Sequence, residues 1–436
     1  MLPLDSPRSS SWAIRLRGDR PLPSPARTIR IGILGLGNVG QAVATLAADR
    51  SAVARVGLRF RVEQALVRDV DTPRTCPRPL RLTSTAAAFL RGQYDVVIEA
   101  LDGVEPARTL VARLLLRGTP VVTANKALVA AHGAELQSMA AAHNVAFRYE
   151  ATALSAVPFL GTLAARPLVA SVERVLAIVN GTSNYLLESM AESGASFREA
   201  LALAQKLGYA EPDSSRDLDG RDAADKLLLL TWLFGWGRLS RQALDVTGIR
   251  RVTPDDLSAA RSLGGTIKAV VSAERDETGV RAFVGPAFLK STEPLASLGG
   301  ALNGIRLDGR HVRNLFFSGP GAGPGDTAAT LLDDAVQAAC ERRVHATFQA
   351  GAFPVYPASP ATPWFIRVSC PGVLPSPSAT STVVSSAGLP VEQVAGYATH
   401  NSRWLLIGPK GRRDVDAAIA ALWSTHRIRA VTFRRL

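Results

Sequence analysis

The stretch TIRIGILGLGNVG at residues 28–40, followed by QAVATLAADR at residues 41–50, decides the fold of this 436-residue chain. An apolar run is interrupted by glycines and then continues with helical periodicity, which predicts a strand, a tight turn and a helix. Gly35, Gly37 and Gly40 have the GxGxxG spacing of a dinucleotide site, although an ordinary glycine-rich turn is the alternative for the glycines alone. In this context we predict a bound dinucleotide, with its phosphates at the helix N-terminus.

Further strands and helices alternate after this unit. Apolar strands are predicted in VEQALVR (62–68), DVVIEAL (95–101) and PVVTA (120–124), with the helical pattern VEPARTLVARLLLRG (104–118) between the last two. Continuous apolar strands that alternate with helices indicate a parallel sheet covered on both faces. We therefore predict an α/β fold whose first domain is a Rossmann-type doubly wound parallel sheet over residues 28–150, completed by about 319–345.

The rest of the chain divides at changes in composition. Residues 1–27 are rich in Pro, Ser and Arg, which predicts a disordered N-terminal extension, with a transit peptide as the alternative. Residues 151–318 mix helical patterns (196–207 and 218–234) with alternating strands, which predicts an α+β substrate domain.

A Pro-rich stretch then marks a second boundary. It lies in a predicted linker at 346–362, ahead of a smaller unit at 363–436. The patterns in that unit follow the order βαββαβ, which is the ferredoxin-like plan. We predict a third, small domain there.

Composition and charge exclude several classes of protein. The hydrophobic fraction of 47% and charged fraction of 20% are those of an ordinary globular chain. The net charge of +13 lies mostly in residues 1–30 (+4) and 363–436 (+6). Nucleic-acid binding would need basic side chains on one element with aromatics between them, whereas these charges are scattered at two ends, so it is not expected. The longest apolar stretch, Leu227 to Trp236, is about half of a bilayer span, so no membrane anchor is expected. Three widely spaced cysteines favour a reducing, cytoplasmic location.

The end of the second strand bears on the choice of cofactor. A carboxylate at this point binds ribose hydroxyls, whereas an arginine accommodates a 2′-phosphate. The sequence Leu66-Val67-Arg68-Asp69 offers both, and Arg68 comes first, with Arg74 and Arg78 close behind. We predict NADP(H), with NAD as the alternative.

Two lysines are informative because lysine is scarce, with 6 lysines against 44 arginines. Lys126 follows PVVTA, at the carboxyl end of a parallel strand, where open α/β sheets bind ligands. Lys226 lies four residues after Asp222 on a predicted helix, so the two side chains share one face. Spacing alone favours an ordinary surface ion pair. The cluster of acidic residues in LGYAEPDSSRDLDGRDAADK (207–226) favours a functional site instead.

Four motifs carry a resemblance to a known family. PVVTANKAL (120–128), VNGTSNYLLESM (179–190), the acidic motif extended to LLLL (207–230) and SGPGAGPGDTA (318–328) follow GLGNVG in this order. Together they resemble homoserine dehydrogenase, the NAD(P)-dependent enzyme that interconverts aspartate 4-semialdehyde and homoserine in threonine, methionine and isoleucine biosynthesis. The resemblance covers residues 28–345.

The C-terminal unit is similar to the ACT regulatory module that many of these enzymes carry, with PGVL (371–374) matching its strand-to-helix turn. No aspartate kinase precedes the dehydrogenase motifs, so the chain resembles the monofunctional form. The resemblance further implies a homodimer or higher homo-oligomer formed through the middle domain, and an amino-acid effector such as threonine.

The resemblance also implies roles for individual residues. Lys126 and Lys226 would be catalytic, with Lys226 the proton donor to the carbonyl oxygen. Glu211 and Asp222 would bind the amino group of the substrate, and Gly181 and Thr182 its carboxylate. The full substrate-binding set is Gly181, Thr182, Tyr209, Glu211, Asp217 and Asp222. The cofactor-binding set is Gly35, Gly37, Asn38, Val39, Gly40, Arg68, Leu101, Thr123, Lys126 and Gly323.

One loop departs from the family pattern. The family usually has a glycine-rich run after the acid that ends the sixth strand, but this chain reads EATALSAVP at 150–158. Side chains at 154–156 would crowd a place where backbone should approach the ligands. The family loop binds a monovalent cation, here sodium, through backbone carbonyls, which would be those of Glu150, Ala153, Ser155 and Val157. The departure motivates one alternative, a reductase of a related amino-acid semialdehyde. A second alternative, of another class, is a non-catalytic regulator that binds NADP and an amino acid.

Overall fold

The computed structural model describes residues 27–50, 57–77, 80–166, 171–237, 239–340 and 361–436. The predicted N-terminal extension, except for its last residue, therefore lies outside the described residues. Nearly all of the predicted linker and Arg78 lie outside them as well.

A six-stranded parallel sheet forms the first part of the structure. Its strands are β1 Arg27–Leu34, β2 Leu58–Leu66, β3 Arg81–Thr83, β4 Val96–Glu99, β5 Val121–Thr123 and β6 Phe147–Arg148. The spatial order is β3-β2-β1-β4-β5-β6, and each neighbouring pair is parallel. This order is that of the dinucleotide-binding fold, so the predicted Rossmann-type sheet is confirmed. The three residues of β3 are too few for periodicity to predict.

Helices cover both faces of this sheet. They are α1 Asn38–Ala48, α2 Ala86–Leu90, α3 Ala107–Leu115, α4 Lys126–Ala142 and, from much later in the chain, α12 Pro324–Cys340. Ile31 and Ile33 of β1 pack on one face with residues of α1 and α12, and Leu34 packs on the other face with residues of α3 and α4. Residues of β1 therefore alternate between two cores, as a doubly covered strand requires.

An antiparallel sheet forms the middle part. Its strands are β7 Val172–Ile178, β9 Gly265–Asp276, β10 Gly279–Lys290, β11 Leu302–Gly309 and β12 Leu315–Pro320, in the order β12-β11-β7-β9-β10, and the short β8 Asp245–Val246 pairs with β10. The helices are α5 Ala151–Leu154, α6 Leu160–Ala164, α7 Gly181–Ser193, α8 Phe197–Lys206, α9 Ser215–Leu218, α10 Arg221–Leu233 and α11 Pro254–Ser262, with two 3₁₀ turns at Arg241–Ala243 and Pro294–Ser297.

The predicted single helix at 218–234 is wrong at its start. α9 and α10 are separate because Gly220 between them has φ of +75°, a left-handed conformation that glycine adopts without the cost of a Cβ. The break starts a new helix at Arg221, so Asp222 lies in its first turn and Lys226 one turn later.

The C-terminal unit has the predicted order of elements. It consists of β13 Thr362–Ser369, α13 Pro377–Ser386, β14 Val391–Ala398, β15 Ser402–Lys410, α14 Arg412–His426 and β16 Arg429–Arg435. The strands lie in the order β16-β13-β15-β14 with antiparallel neighbours, which is the ferredoxin-like arrangement. β16 also pairs in parallel with β10, so this sheet continues the middle sheet.

A buried polar cluster joins the C-terminal unit to α11. Asp256 is fully buried, and its carboxylate accepts hydrogen bonds from Arg367 at 2.8 Å and from the Trp404 indole at 2.6 Å. Phe365 and Phe433 of the C-terminal sheet pack in the same core as Leu257 of α11. The unit is therefore held by a hydrophobic core as well as by strand pairing. None of the described helices combines the length and apolar character needed to cross a bilayer.

Candidate active site

Two lysines from different helices meet at one carboxylate. Lys126 is the first residue of α4, directly after β5, and its Nζ donates to Oδ1 of Asp222 at 2.7 Å. Nζ of Lys226, one turn beyond Asp222 on α10, lies 3.2 Å from Oδ2. The fold thus brings together two ammonium groups that are 100 positions apart in the chain.

The environment of Lys226 is largely closed. Its side chain is 16% exposed, and Nζ also donates to the carbonyl oxygen of Val179 at 2.6 Å. Burial lowers the pKa of Lys226, and Asp222 partly opposes this effect. An ammonium group with a lowered pKa gives up a proton more readily than a free lysine, as a general acid must.

Asp222 stays ionised because the positive charges around it outweigh the effect of burial. Burial by itself would raise its pKa, but the ammonium groups of Lys226 and Lys126 and the amide of Asn180 hold the pKa of this carboxyl well below its ordinary value. The cleft therefore contains a fixed negative charge between two positive charges.

Asn180 is a site residue that the sequence analysis missed. It caps α7 by accepting from the backbone N–H of Ser183 at 2.9 Å, and its Nδ2 donates to Asp217 at 2.7 Å and to Asp222 at 3.1 Å. The available signal was the Asn in VNGTS, directly before a helix, where Asn is a preferred cap. Asn180 therefore links the N-terminus of α7 to the two acids.

Other predicted substrate residues lie next to Asn180 or contact the first turns of α7. A Cβ on Gly181 would lie 2.8 Å from the carbonyl oxygen of Ala301, so this position is closely packed. The Thr182 hydroxyl donates to the carbonyl of Tyr209 at 2.8 Å, and the Tyr209 ring stacks on Tyr185 with centroids 4.3 Å apart. Glu211 is exposed, and its carbonyl oxygen accepts hydrogen bonds from Gln205 and Ser214.

The glycine motif has the geometry that its spacing predicts. Gly35 has φ of +91°, and a Cβ there would lie 2.6 Å from the carbonyl oxygen of Ala100. A Cβ on Gly40 would lie 2.1 Å from the carbonyl oxygen of Gly35, so the helix and the turn could not pack. Gly37 faces open space at the N-terminus of α1, where Asn38 and Val39 begin the first turn.

In the loop after β2, Asp69 and Arg74 already have hydrogen-bond partners, whereas Arg68 has none among the described residues. Asp69 bonds within its own loop, to the Thr72 hydroxyl at 2.6 Å and to the N–H of Asp71 at 3.0 Å, and these bonds lower its pKa. Arg74 donates to the carbonyls of Thr72 and Asp69, at 2.8 Å each. Arg68 is exposed and has no hydrogen bond to the described residues, so its guanidinium is the group available to a ligand.

The altered loop at 150–157 accommodates its extra side chains away from the cleft. Leu154 is fully buried in the hydrophobic core, and the Ser155 hydroxyl bonds to that of Thr327 at 2.7 Å. Ser155 has φ of +51°, so a serine adopts the left-handed backbone that favours glycine. The expectation that these side chains crowd the loop floor is therefore wrong for residues 154 and 155.

The four positions predicted for a cation are close in sequence, and three of their carbonyls already accept hydrogen bonds. The Glu150 carbonyl accepts from the N–H of Ala153 at 3.4 Å, that of Ser155 from the Thr330 hydroxyl at 3.0 Å, and that of Val157 from the N–H of Phe159 at 3.0 Å. The Glu150 side chain accepts from three backbone N–H groups at the start of α6, those of Phe159, Leu160 and Gly161. Burial raises the pKa of Glu150 to about 7 despite these bonds.

The remaining cofactor positions lie at the same edge of the parallel sheet. Leu101 follows β4, and Thr123 ends β5 two residues before Asn125. Gly323 has φ of +141° and stands just before α12, which packs against α1. The chain therefore combines a glycine motif of the dinucleotide-binding type with two lysines at one carboxylate, groups that can support hydride transfer to a carbonyl.

Comparisons with known proteins point to one family. The family model described as "Homoserine dehydrogenase, NAD binding domain" matches residues 35–150, and the model "Homoserine dehydrogenase" matches residues 158–336. A homoserine dehydrogenase of Corynebacterium glutamicum is 36% identical over 333 residues, which are 74% of this chain and 75% of the relative.

Solved structures agree with the family models. A homoserine dehydrogenase from Thiobacillus denitrificans superposes with a TM-score of 0.81 at 30% identity, over 94% of this chain and 98% of that one. A hyperthermophilic archaeal homoserine dehydrogenase in complex with NADPH has a TM-score of 0.59 at 25% identity, over 72% of this chain and 98% of that one.

Proposed function

The chain belongs to the homoserine dehydrogenase family, and we propose that Lys126, Lys226 and Asp222 are the central groups of its active site. It is an NAD(P)-dependent oxidoreductase that acts on a CH–OH group, converting L-aspartate 4-semialdehyde to L-homoserine in the biosynthesis of threonine, methionine and isoleucine. The observation that carries the proposed roles is the meeting of both ammonium groups at the carboxylate of Asp222.

Each of these groups has a chemical role in the proposal. A bound nicotinamide supplies the hydride that reduces the aldehyde carbon. Lys226 donates a proton to the carbonyl oxygen as negative charge develops there, and Lys126 stabilises that charge. Asp222 keeps both ammonium groups in place within a site largely closed to water.

The substrate is zwitterionic at its other end, and the proposal assigns groups to both charges. Glu211 and Asp222 bind its amino group, with Asp217 held close by Asn180. Gly181 and Thr182 bind its carboxylate at the N-terminus of α7, where the helix dipole favours an anion. Tyr209 closes the side of the cleft through its contacts with Thr182 and Tyr185.

The cofactor in the proposal is NADP(H) rather than NAD(H). Gly35, Gly37 and Gly40 bind the pyrophosphate together with the first turn of α1, and Leu101, Thr123 and Gly323 border the ring end. Arg68 binds the 2′-phosphate. This preference is supported by Asp69, whose carboxylate is engaged within its own loop instead of being available to ribose hydroxyls.

We also propose a monovalent cation, such as sodium, at the carbonyls of Glu150, Ala153, Ser155 and Val157. Neutral carbonyl oxygens are hard ligands that suit such an ion, and a carbonyl that accepts one hydrogen bond retains a second lone pair. The left-handed Ser155 supports the proposal, because the loop keeps a glycine-like backbone. Thermal unfolding in sodium chloride against tetramethylammonium chloride tests it: equal melting temperatures would contradict a bound cation.

The C-terminal unit is proposed to be an ACT-like regulatory domain that binds an amino acid such as threonine. The ferredoxin-like topology supports this, and the Asp256 cluster couples the unit to α11. Threonine titrations of the full chain, followed by activity and hydrogen exchange, test it. Protection within 362–435 is expected, and protection confined to α7–α10 would place the effector in the substrate site.

The assembly and location proposed are a homodimer, or a higher homo-oligomer, in the cytoplasm. β12 and β14 are the edge strands of the long sheet among the described residues, and strand edges can pair with another copy. Light scattering of the purified chain tests the oligomeric state. The three cysteines are free thiols, which suits a reducing compartment.

Turnover with the purified protein tests the proposed roles. L-Aspartate 4-semialdehyde should consume NADPH, and Lys226→Met should abolish turnover, whereas Lys206→Met on the exposed face of α8 should leave it unchanged. Faster turnover of another small amino-acid semialdehyde would favour the related-reductase alternative. A folded protein that binds NADPH but reduces none of these aldehydes would favour the regulator.

A further inference from the structure

A buried acid lies beside the lysine site and is not used by the proposed chemistry. Glu99 ends β4 and is fully buried. Its Oε1 accepts from the backbone N–H of Leu101 at 2.8 Å and from Nδ2 of Asn125 at 3.3 Å, and its Oε2 accepts from the Thr123 hydroxyl. Burying a carboxylate is costly unless hydrogen bonds compensate, so this group requires an explanation.

The three donors to Glu99 come from the segments that border the cofactor and Lys126. Leu101 lies in the loop whose Ala100 packs against Gly35 of the glycine motif. Thr123 ends β5, and its hydroxyl also accepts from the backbone N–H of Asn125 at 2.9 Å. One carboxylate therefore connects the end of β4, the end of β5 and the start of α4.

Asn125 links Glu99 to the segment that carries the lysine. Its Oδ1 caps α4 by accepting from the N–H of Leu128 at 2.9 Å, and its Nδ2 donates both to Glu99 and to the carbonyl of Gly103 at 2.6 Å. Lys126 is the next residue, the first of α4, and it reaches across to Asp222. A change in the cap would thus move the origin of the Lys126 side chain.

We propose that Glu99 is a positioning residue, which fixes the Asn125 cap and the loop at 100–103 so that Lys126 meets Asp222 beside the bound cofactor. This inference rests on the proposed function of Lys126 and Asp222. Glu99 itself touches neither of these groups and acts through Asn125 and Thr123.

The protonation of Glu99 offers a signature of this role. Burial raises the pKa of Glu99 to about 7, the neutral donors Thr123, Leu101 and Asn125 lower it, and Asp102 raises it further. The carboxyl group therefore gains or loses its proton close to neutral pH, and the geometry of its three donors should respond to that change.

Two substitutions at Glu99 distinguish the effect of its hydrogen bonds from the effects of its charge and its volume. In Glu99→Gln, the amide oxygen can accept from Leu101 and Asn125 while its N–H₂ donates to the Thr123 hydroxyl. Glu99→Leu keeps the volume and removes every bond. Glu105→Gln, at an exposed glutamate in the following loop, is the matched control.

Steady-state kinetics over a range of pH around 7 give the first readout. We expect Glu99→Leu to lower kcat about 100-fold, since small misplacements of catalytic groups cost about that much, with a smaller change in the KM for NADPH. Glu99→Gln should retain most of kcat but lose the part of the pH dependence near 7. A folded Glu99→Leu with kcat within about twofold of wild type would overturn the proposal.

A second readout does not require turnover, so it separates failure of this inference from failure of the proposed function. The rate at which an acylating reagent modifies Lys126, followed by peptide mass analysis, should rise several-fold in Glu99→Leu and stay unchanged in Glu99→Gln and Glu105→Gln. If Glu99→Leu does not fold, Asn125→Ser keeps a helix cap but removes the bond to Glu99 and should give the same rise. An unchanged Lys126 rate in either folded variant would overturn the proposal even if the wild type reduces no aldehyde.

Discussion

Asp222→Asn is the sharpest perturbation of the lysine site, because it keeps the shape of the side chain and removes its charge. The carboxylate contacts Lys126 at 2.7 Å and Lys226 at 3.2 Å, so the substitution deprives both ammonium groups of a shared counter-charge. Lys226 is the more affected of the two, since its side chain is 16% exposed against 33% for Lys126. We expect a loss of stability, a fall in kcat and a shifted pH profile.

The size of the stability change follows from the geometry. Unit charges at these separations attract by about 5 kcal/mol each at an effective dielectric constant of about 20, and most of this offsets the cost of removing the charges from water. Breaking a buried pair by removing one partner costs about 3–5 kcal/mol. Because water reaches Lys126, the lower end applies, and the unfolding free energy should fall by about 3 kcal/mol.

The pH profile has a definite direction. In wild type, burial lowers the pKa of Lys226 and Asp222 opposes the effect, so removing the negative charge must lower the pKa of Lys226 further. A proton donor then loses its proton at lower pH, and the alkaline limb of kcat for aldehyde reduction should move to lower pH. The value of kcat at its optimum should fall about 100-fold as Lys126 and Lys226 lose their common anchor.

Urea unfolding and the pH dependence of NADPH oxidation measure these effects. Asp225→Asn is the matched control, because Asp225 lies on the same helix and also pairs with two cations, Arg216 at 2.8 Å and Arg241 at 3.1 Å, outside the cleft. The control should change the unfolding free energy by less than about 1 kcal/mol, and the alkaline limb of its kcat profile should not shift. An Asp222→Asn protein with an unshifted alkaline limb would refute the assignment of Lys226 as proton donor.

Three further perturbations address the cofactor, the altered loop and the C-terminal unit. Arg68→Ala should raise the KM for NADPH about tenfold or more and leave that for NADH unchanged, since a hydrogen bond to a charged group contributes about 1.5–3 kcal/mol. Ser155→Gly should be more stable to urea than Ser155→Ala by about 1 kcal/mol, because φ of +51° costs alanine but not glycine, while both variants lose the bond to Thr327. Arg367→Met should lower the unfolding free energy by about 3 kcal/mol, since it leaves the carboxylate of the fully buried Asp256 without its ion partner.

Each of these predictions has an internal control. Arg74→Ala should not discriminate between the cofactors, because Arg74 donates to carbonyls of its own loop, and equal effects on NADPH and NADH in Arg68→Ala would contradict the 2′-phosphate role. Arg412→Met breaks an exposed pair with Asp416 and should change stability by less than about 1 kcal/mol. A Ser155→Ala protein as stable as Ser155→Gly would show that the loop relaxes.

Local pattern was sufficient to predict most strands of the parallel sheet, the glycine turn and the order of elements in the C-terminal unit. Those features depend on residues within a few positions of one another, such as Gly40, where a Cβ would meet the carbonyl oxygen of Gly35 in the same turn. The break at Gly220 was not predicted because a helical pattern on both sides masks one left-handed residue. The direction of the Ser155 side chain in the altered loop could not be predicted either, since it depends on Thr327 in a helix 172 positions later.

Glu99 and Asn180 were missed for a related reason. Glu99 is one polar residue at the end of an apolar strand, and nothing adjacent in sequence distinguishes it. Asn180 follows such a strand and precedes a helix, but a cap position by itself does not indicate a link to two acids. Their importance comes from partners on other elements: Thr123 and Asn125 for Glu99, and the acids at 217 and 222 for Asn180. Only the three-dimensional arrangement shows that both side chains connect elements that the chemistry must hold together.

The ion pair between Lys126 and Asp222 has a consequence beyond charge balance. Lys126 extends from the start of α4, a helix that covers the parallel sheet, whereas Asp222 extends from a helix packed on the antiparallel sheet, 96 positions later. Hydride transfer requires a fixed distance between a ring bound by the first sheet and an aldehyde bound beside the second. In the proposed function, Lys126 and Asp222 also lie at the reacting atoms, so their contact would fix that distance where the chemistry takes place. Substitutions at this contact should therefore lower kcat more than they raise either KM.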